Sequence, residues 1–195
     1  FAVDNFRIPA ADVEVDLGLQ IEHNEFSGME FQPTLRASWR PSEETTVWAG
    51  LTRAVRTPSI EERTLSDDSI LVGNDDFHSE NVLTTELGLR KRISQDAVVD
   101  IALFHNDYDD LRYNLDIGGG QFLITNGAKG ESYGGELALD LAVSDRWHLR
   151  SAYSYLFDDF DRKADGADLL AGDYSPKHLF NLRSYYDLTD DLELD

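Results

Sequence analysis

Hydrophobic and polar residues alternate with a period of two along most of this chain. In Asp12–His23, DVEVDLGLQIEH, valine, leucine and isoleucine hold alternate positions, and mostly acidic residues lie between them. Because successive side chains of a β-strand point to opposite faces, this segment predicts a strand with one apolar and one polar face. The same pattern returns in Thr34–Arg40, Thr85–Arg92 and Gly135–Val143.

Further segments predict strands whose faces are harder to assign: Thr45–Val55, Ala97–Asp107, Trp147–Leu156 and Lys177–Asp187. The predicted strands have roughly 10–13 residues, close to the ~9–11 that a tilted strand needs to cross a bilayer. Helical periodicity is nearly absent, and no apolar run approaches the ~18 residues of a membrane helix. The pattern therefore predicts an all-β, antiparallel up-and-down meander of roughly 8–9 strands.

Short and long connections alternate along this meander. The short ones are tight polar turns at Pro41–Glu44, Ile93–Asp96, Val143–Arg146 and Leu188–Asp191. The long ones are predicted at Arg56–Asn81, Tyr108–Gly130 and Phe157–Pro176, and Asn24–Glu30 is a shorter exception. Outer-membrane barrels have short periplasmic turns and long extracellular loops, whereas a soluble sandwich has no reason to sort its loops in this way. The chain is thus predicted to form part of a larger transmembrane β-barrel.

The charge of the chain limits the classes of molecule that it can bind. Acidic residues outnumber Lys and Arg by 38 to 17, and the formal net charge is −21. Nucleic acid is disfavoured as a partner because phosphate binding needs clustered Lys and Arg. The carboxylates on the polar strand faces need water, which the lumen of a large barrel supplies. With no cysteine, the chain offers no disulfide, thiolate metal site or thiol nucleophile.

Aromatic residues lie near the ends of the predicted strands. Trp39, Trp48 and Trp147 are close to the short turns, where an aromatic girdle would lie, although ordinary packing in a soluble β-domain would also use them. A second set lies near the long connections and would either form the outer girdle or stack on a ligand. Its members are Tyr108, Tyr113, Phe122, Tyr153 and Tyr155.

Four stretches of the chain resemble the TonB-dependent outer-membrane receptors. Leu51–Glu62, LTRAVRTPSIEE, resembles the family's alternating strand that ends in two arginines and a Pro-Ser pair, with Val55 where an aromatic residue is more usual. The others follow in the family's order and resemble its next strand pairs. They are Asn81–Leu111, with FHNDYDDL at its end, Asn126–Leu156, with a Tyr-Gly and Glu-Leu signature, and Ser175–Asp195, which begins with Ser-Pro and a basic residue.

The resemblance implies a fold and a function for the whole protein. The family barrel has about 22 strands and a plugged lumen, and residues 1–195 would be its C-terminal part, without the plug domain and the remaining strands. Such receptors take up scarce nutrients through the outer membrane of Gram-negative bacteria: a ferric siderophore is the first expectation here, then haem, cobalamin or others. Energy would come from the TonB–ExbB–ExbD complex through the plug, and outer-membrane lipid would surround the barrel.

Other functions stay open at this point. A passive porin or a membrane-embedded outer-membrane hydrolase would share the strand pattern, and a soluble β-sandwich or adhesin would share the alternation. A hydrolase needs its catalytic groups gathered at the mouth, whereas the acids here are abundant but undirected. No catalytic residue and no cofactor are predicted, and the chain is not expected to be an enzyme.

The candidate ligand-binding or plug-contacting residues are those near the outer mouth: Arg53, Arg56, Tyr108, Tyr113 and Arg112. Pro58 should end the strand that carries the first two, since it lacks an N–H. Arg53 and Arg56 would either contact an anionic ligand, the plug or acidic loop residues generally, or pair with a nearby carboxylate. The nearby carboxylates are those of Glu61, Glu62 and Asp109.

Metal binding has only weak candidates. Asp75 and Asp76, with His78, or Asp158 and Asp161 would offer oxygen ligands to calcium, but a solvated acidic loop is the favoured explanation and no metal site is predicted. Gly118–Gly120 lacks the helix of a phosphate-binding loop and is expected at a loop tip or hairpin turn.

Overall fold

The computed structural model describes residues 1–65, 70–163 and 175–194. Within these ranges the chain is almost entirely strand, with a short 3₁₀ helix at Pro9–Ala11 and a single α-helix, α1, at Ile60–Thr64. The strands are β1 Ala2–Ile8, β2 Val13–Asn24, β3 Gly28–Ser42, β4 Thr45–Arg56, β5 Leu71–Val72, β6 Glu80–Arg92, β7 Ala97–Gly118, β8 Gln121–Ser144, β9 Trp147–Arg162, β10 His178–Thr189 and β11 Leu192–Leu194.

The strands form one antiparallel sheet in which neighbours in sequence are neighbours in space. The exception is β5, which pairs in parallel with β8. The predicted all-β meander is confirmed, and the described residues contain 11 strands because β1 and the short β5 and β11 add to those that alternation predicts. No helix in the described part of the chain is long and apolar enough to cross a membrane.

The register of the sheet confirms that it has one apolar and one polar face. Residues that pair across neighbouring strands are mostly of the same kind. Rows of apolar side chains therefore alternate with rows that are mainly polar. One apolar row contains Val15, Ala37, Ala49, Leu87 and Leu103. The adjacent row, on the other face, contains Asp16, Arg36, Gly50, Glu86 and Phe104. Leu87 and Leu103 are 51% and 53% exposed, as expected of side chains that meet lipid rather than a protein core.

The tryptophans divide between the two faces. Trp39 and Trp147 share the apolar face, and Trp147 packs edge-on against Tyr186, with ring centroids 6.4 Å apart. Trp48 lies in register with Ser38 and Gly88 on the polar face. The predicted girdle position is therefore wrong for Trp48, because its position in the alternation turns its side chain away from lipid.

Gly88 makes room for the Trp48 indole. A Cβ atom at position 88 would lie 2.1 Å from the ring, whereas a Cβ at Gly18, also on the polar face, would lie 3.5 Å from its nearest neighbour. We expect Gly88→Ala to destabilise the barrel of the full-length protein by about 1–3 kcal/mol, since the ring or the strand must shift. Thermal unfolding in detergent micelles tests this, with Gly18→Ala as the control. Equal midpoints for the two variants would contradict the tight packing at Gly88.

The long connection predicted at Tyr108–Gly130 is instead a β-hairpin, and that prediction is wrong. β7 continues to Gly118 and β8 begins at Gln121, with Gly118–Gly120 at positive φ in the turn, as expected for a hairpin tip. A bulge explains the error: the register shifts between Tyr108 and Leu111, and Asp110 has a φ of 59°. After the bulge, the odd-numbered residues of β7 point to the face that the even-numbered ones occupied before it, and the alternation continues to the hairpin tip.

The other two long connections are partly structured. In Arg56–Asn81 the chain forms α1 and β5 and packs on the extended β7–β8 hairpin; we call residues 57–65 and 70–79 the cap. In Phe157–Pro176, β9 continues to Arg162, and residues 164–174 lie outside the described ranges. Two of the most buried side chains are Phe77 of the cap, which is 0% exposed, and Ile124 of β8, which is 1% exposed. The hydrophobic core of the described residues is thus at the end of the sheet that carries the long connections.

Candidate functional site

The site begins where the chain leaves the sheet at the end of β4. β4 ends at Arg56, and Pro58 follows, as the sequence predicts. Ser59 is the N-cap of α1: its hydroxyl accepts a hydrogen bond from the Glu62 amide at 3.3 Å, and the Glu62 carboxylate accepts one from the Ser59 amide at 2.9 Å. This reciprocal capping box holds Glu62 beside the end of β4.

The Glu62 carboxylate is the centre of the site. Arg56 donates hydrogen bonds to both of its oxygens, at 3.0 and 2.9 Å, and Arg112 of β7 donates to Oε1 at 3.3 Å. Arg56 also donates to Glu80 through Nε, and the Arg112 amide donates to the same Glu80 carboxylate. At Glu62, the bonds from Arg56, from Arg112 and from the Ser59 amide together fill the lone-pair sites that an ionised carboxylate offers. Glu62 is only 5% exposed, so its charge is compensated almost entirely by protein donors.

The surrounding donors keep Glu62 ionised. Burial alone would raise its pKa, but hydrogen bonds from Arg56 and Ser59 outweigh burial and lower the pKa of Glu62 from 4.5 to about 2. At neutral pH Glu62 is therefore ionised, and its hydrogen bonds hold the cap to the sheet.

The attachment of the cap should depend on pH through Glu62. A carboxyl whose pKa is lowered by folding stabilises the folded cap above its ordinary pKa of 4.5 and loses that contribution as the pH falls towards about 2. We expect a fluorophore on Ile60→Cys to gain mobility over this acidic range, measured by anisotropy in the full-length protein. Adding Glu62→Gln should remove this component of the pH dependence, whereas adding Glu61→Gln should keep it. An identical acid transition in both would contradict the role of Glu62.

Arg53 and Arg56 point to opposite faces of the sheet, because they are three positions apart in β4. The Arg53 guanidinium donates to the Phe31 carbonyl of β3 and to the Asn81 side chain at the start of β6. Of the alternatives set out for the two arginines, Arg56 thus pairs with a nearby carboxylate, Glu62, whereas Arg53 fastens neighbouring strands together. A direct role for Arg53 in ligand or plug binding stays a prediction.

The predicted aromatic residues also divide between the faces. Tyr108 is on the polar face, with its ring 5.5 Å from that of Phe160. Tyr113 lies above the bulge, where its ring is 5.9 Å from the Arg162 guanidinium carbon. Tyr153 lies on the apolar face, with its hydroxyl 2.7 Å from Nδ1 of His178. Tyr153 therefore points away from the lumen, and a role of Tyr108 and Tyr113 in ligand or plug binding stays a prediction.

A second group of contacts fastens the cap at Asp110, the bulge residue. Its carboxylate lies 3.4 Å from His78 Nε2, and its carbonyl accepts a hydrogen bond from Asn126 at 2.7 Å. Asn126 also binds both the amide and the carbonyl of His78, at 2.9 Å each. Lys163, after β9, completes the group with contacts of 2.7 Å to Asp109 and 2.5 Å to Asp110. The bulge thus joins the cap, the hairpin and the end of β9.

The calcium candidates lie on different elements. Asp75 and Asp76 are in a turn of the cap, whereas Asp158 and Asp161 are on β9, and Asp158 accepts a hydrogen bond from Ser175 at 3.1 Å. Within the described residues no group of three His, Asp or Glu side chains is placed to hold a metal ion.

Sequence reasoning missed part of the site. Glu80, Asn126 and Phe77 were not singled out, and their contacts join residues far apart in the chain. The Ser59-x-x-Glu62 spacing was a usable signal, because it is the sequence signature of a capping box. It predicts the start of a helix within the connection Arg56–Asn81, where α1 begins.

The two-faced sheet and its elaborated end define the class of protein. Short turns at one end, long structured connections at the other, and one lipid-compatible face are the features of a transmembrane β-barrel wall. The family model described as "TonB dependent receptor-like, beta-barrel" matches residues 1–194. The chain belongs to this family, and it is part of a Gram-negative outer-membrane protein.

Characterised relatives have similar sequences over a limited part of their length. The iron-regulated outer membrane virulence protein of Vibrio cholerae is 27% identical over 203 residues, which cover 94% of this chain and 30% of the relative. The ferric enterobactin receptor of Pseudomonas aeruginosa is 24% identical over 229 residues, covering 100% of this chain and 29% of the relative. The chain therefore spans about a third of the length of these relatives.

Solved structures show the same fold. A crystal structure of the Pseudomonas aeruginosa ferric enterobactin receptor superposes with a TM-score of 0.77 at 22% identity, over 95% of this chain and 29% of that one. The siderophore receptor PirA of Acinetobacter baumannii gives a TM-score of 0.78 at 21% identity, over 98% of this chain and 31% of that one. Both place the sheet described above within a receptor barrel.

Proposed function

We propose that the full-length protein is an outer-membrane receptor for the active uptake of a scarce nutrient, with a ferric siderophore as its ligand. The observation that carries the proposal is the family match along residues 1–194. In this proposal residues 1–195 form part of the barrel, outer-membrane lipid contacts the apolar face, and a plug domain elsewhere in the protein connects to the TonB–ExbB–ExbD complex.

Iron is favoured over haem, cobalamin and other nutrients by the names of the relatives. One is an iron-regulated outer-membrane protein and another a ferric enterobactin receptor, and two of the superposed structures are siderophore receptors. These names describe proteins that share about a quarter of their residues with this chain over the matched region. They support the ligand class as a proposal.

The residues proposed to meet the ligand or the plug lie at the end of the sheet that carries the cap. Arg56 and Arg112 supply positive charge, and Tyr108 and Tyr113 supply aromatic surface. Beside Arg56, a mostly apolar recess is lined by residues of three neighbouring strands, including Ala54, Val82 and Tyr108. An arginine pair above an apolar recess suits a ligand that combines anionic groups with flat apolar surface.

Uptake by the intact protein tests the proposal. Deleting the gene should impair growth under iron limitation, and uptake of a radioactive ferric siderophore should stop. Removing TonB should stop uptake to the same extent, since the transport is proposed to be energised. Normal iron-limited growth with impaired growth on cobalamin or haem would instead assign another nutrient to the receptor.

A passive porin would give a different result in the same experiment. Loss of the gene would then lower the permeability to small solutes, and removing TonB would change nothing. That outcome would overturn active uptake.

A further inference from the structure

The arginine pair proposed to receive an anionic ligand is already occupied by an anion of the protein itself. We propose that Glu62 is a specificity-determining residue: its carboxylate holds the position between Arg56 and Arg112 that an anionic group of the ligand must take. Binding then requires the exchange of one anion for another. This inference rests on the proposed function, because it concerns the same receptor site.

The geometry of the pair is that of a site for one anion. Arg56 is on β4 and Arg112 on β7, with β6 between them in the sheet. Both guanidinium groups nevertheless reach Oε1 of Glu62, at 2.9 and 3.3 Å. Two like charges gathered from separate strands repel each other unless an anion lies between them. In this structure the Glu62 carboxylate fills the position between them.

The exposure of the three side chains allows an exchange. Arg56 and Arg112 are 47% and 35% exposed, whereas Glu62 is 5% exposed. An incoming anion can therefore contact the open sides of both guanidinium groups while Glu62 is still bound on the inner side. Glu62 leaves only after its charge has been replaced, so that Arg112 does not lose the anion that compensates it, whereas Arg56 keeps Glu80 throughout.

Glu62 is also carried by an element that can move. α1 has 5 residues, far fewer than an isolated helix needs for stability in water. Its position depends on the capping box, on the two arginines and on the bond from the Asn74 amide to the Glu62 carbonyl at 2.9 Å. Releasing the carboxylate removes the contacts of α1 with the two arginines, whereas the pairing of β4 and β7 and the bonds of Arg63 to the Phe26 and Phe77 carbonyls stay in place.

The exchange selects for charge. A ligand with a single carboxylate forms no stronger bonds with the arginines than Glu62 does, and its binding also costs the entropy of association. A ferric tris-catecholate complex carries several negative charges on one rigid body and can bind both arginines at once. An uncharged ferric tris-hydroxamate has no charge to offer in place of that of Glu62.

The experiment compares Glu62→Gln with Glu61→Gln in the full-length receptor in detergent micelles, using ferric enterobactin, a tris-catecholate, as the probe. Both variants remove one acidic charge from α1, but Glu61 is exposed. We expect Glu62→Gln to bind the probe about tenfold more tightly than the wild type, since one charge-assisted hydrogen bond no longer competes. Glu61→Gln should change the affinity less than twofold.

The outcomes separate this inference from the proposed function. Equal or weaker binding by Glu62→Gln, with measurable binding by the wild type, overturns the role of Glu62 alone. If neither the wild type nor a variant binds any ferric siderophore, the proposed function fails and the inference falls with it. If Glu62→Gln does not assemble in the membrane, Ser59→Ala weakens the capping box and keeps the charge. It should raise the affinity by a smaller factor, and unchanged affinity in that variant also overturns the inference.

Discussion

Replacing Phe77 by alanine should release the cap from the barrel. The Phe77 side chain is 0% exposed and belongs to the hydrophobic core at this end of the sheet. Removing a fully buried aromatic side chain costs about 3–5 kcal/mol, from lost burial and from the cavity that remains. The ring also lies 5.9 Å from the Arg56 guanidinium carbon, so the change removes a cation–π contact as well.

Native-state hydrogen exchange measures this effect in the cap itself. The amides of Gly73 and Asn74, which bond to the carbonyls of Leu65 and Glu62, report on opening of the cap. In Phe77→Ala both should lose their protection, while amides in the centre of β6 keep theirs. Ile60→Ala is the matched control, because Ile60 is 67% exposed on α1. Full protection of both amides in Phe77→Ala would show that the cap does not depend on this core.

Replacing Arg56 by methionine should weaken the cap through Glu62. The change removes two of the hydrogen bonds to a carboxylate that is 5% exposed, and only Arg112 and the Ser59 amide still compensate its charge. Removing one partner of a buried pair costs about 3–5 kcal/mol. Because Arg56 is itself half exposed and Arg112 remains, we expect about 2 kcal/mol in the opening free energy of the cap.

Arg90→Met provides the comparison. Arg90 pairs with Asp100 across β6 and β7 at 3.4 Å, but both side chains are well exposed. An exposed pair of this kind contributes about 0–1 kcal/mol. The same exchange experiment should therefore show a loss of cap protection in Arg56→Met and none in Arg90→Met. A loss of similar size in both would mean that net charge, and not the buried pair, holds the cap.

The alternation of residues was enough to predict the sheet but not its full extent. Strands such as β2 and β3 keep one phase along their length, so their faces could be assigned from the sequence. In β7 the bulge at Asp110 changes the face to which later residues point, so Leu111, Tyr113 and Leu115 leave the face of Ile101 and Leu103 although all five have odd numbers. The sequence carries no sign of that change, and the polar run His105–Asp110 is typical of a loop, which is why the segment after Tyr108 is predicted as one.

The site was predictable only in part, for a different reason. Arg56 and Arg112 could be chosen because arginines near a strand end are candidates for anions, and Glu62 was among the carboxylates considered. That all three meet at one point depends on the cap folding back over the hairpin. The contacts that hold it there join β5 to β8 and His78 to Asn126, residues that are far apart in the chain and share no local pattern. Contacts of that kind are not encoded by periodicity.

The order of strands in the sheet has a consequence for how the barrel is made. Apart from β5, each strand pairs with the strands before and after it along the chain. Closing a short loop costs little entropy, so such a sheet can grow by adding one strand at a time to an open edge. The edge strand with which each new strand pairs is then already folded. A defect that stalls one strand during biogenesis should therefore hold up every strand that follows it, whereas a defect in the cap should be tolerated until the barrel is complete.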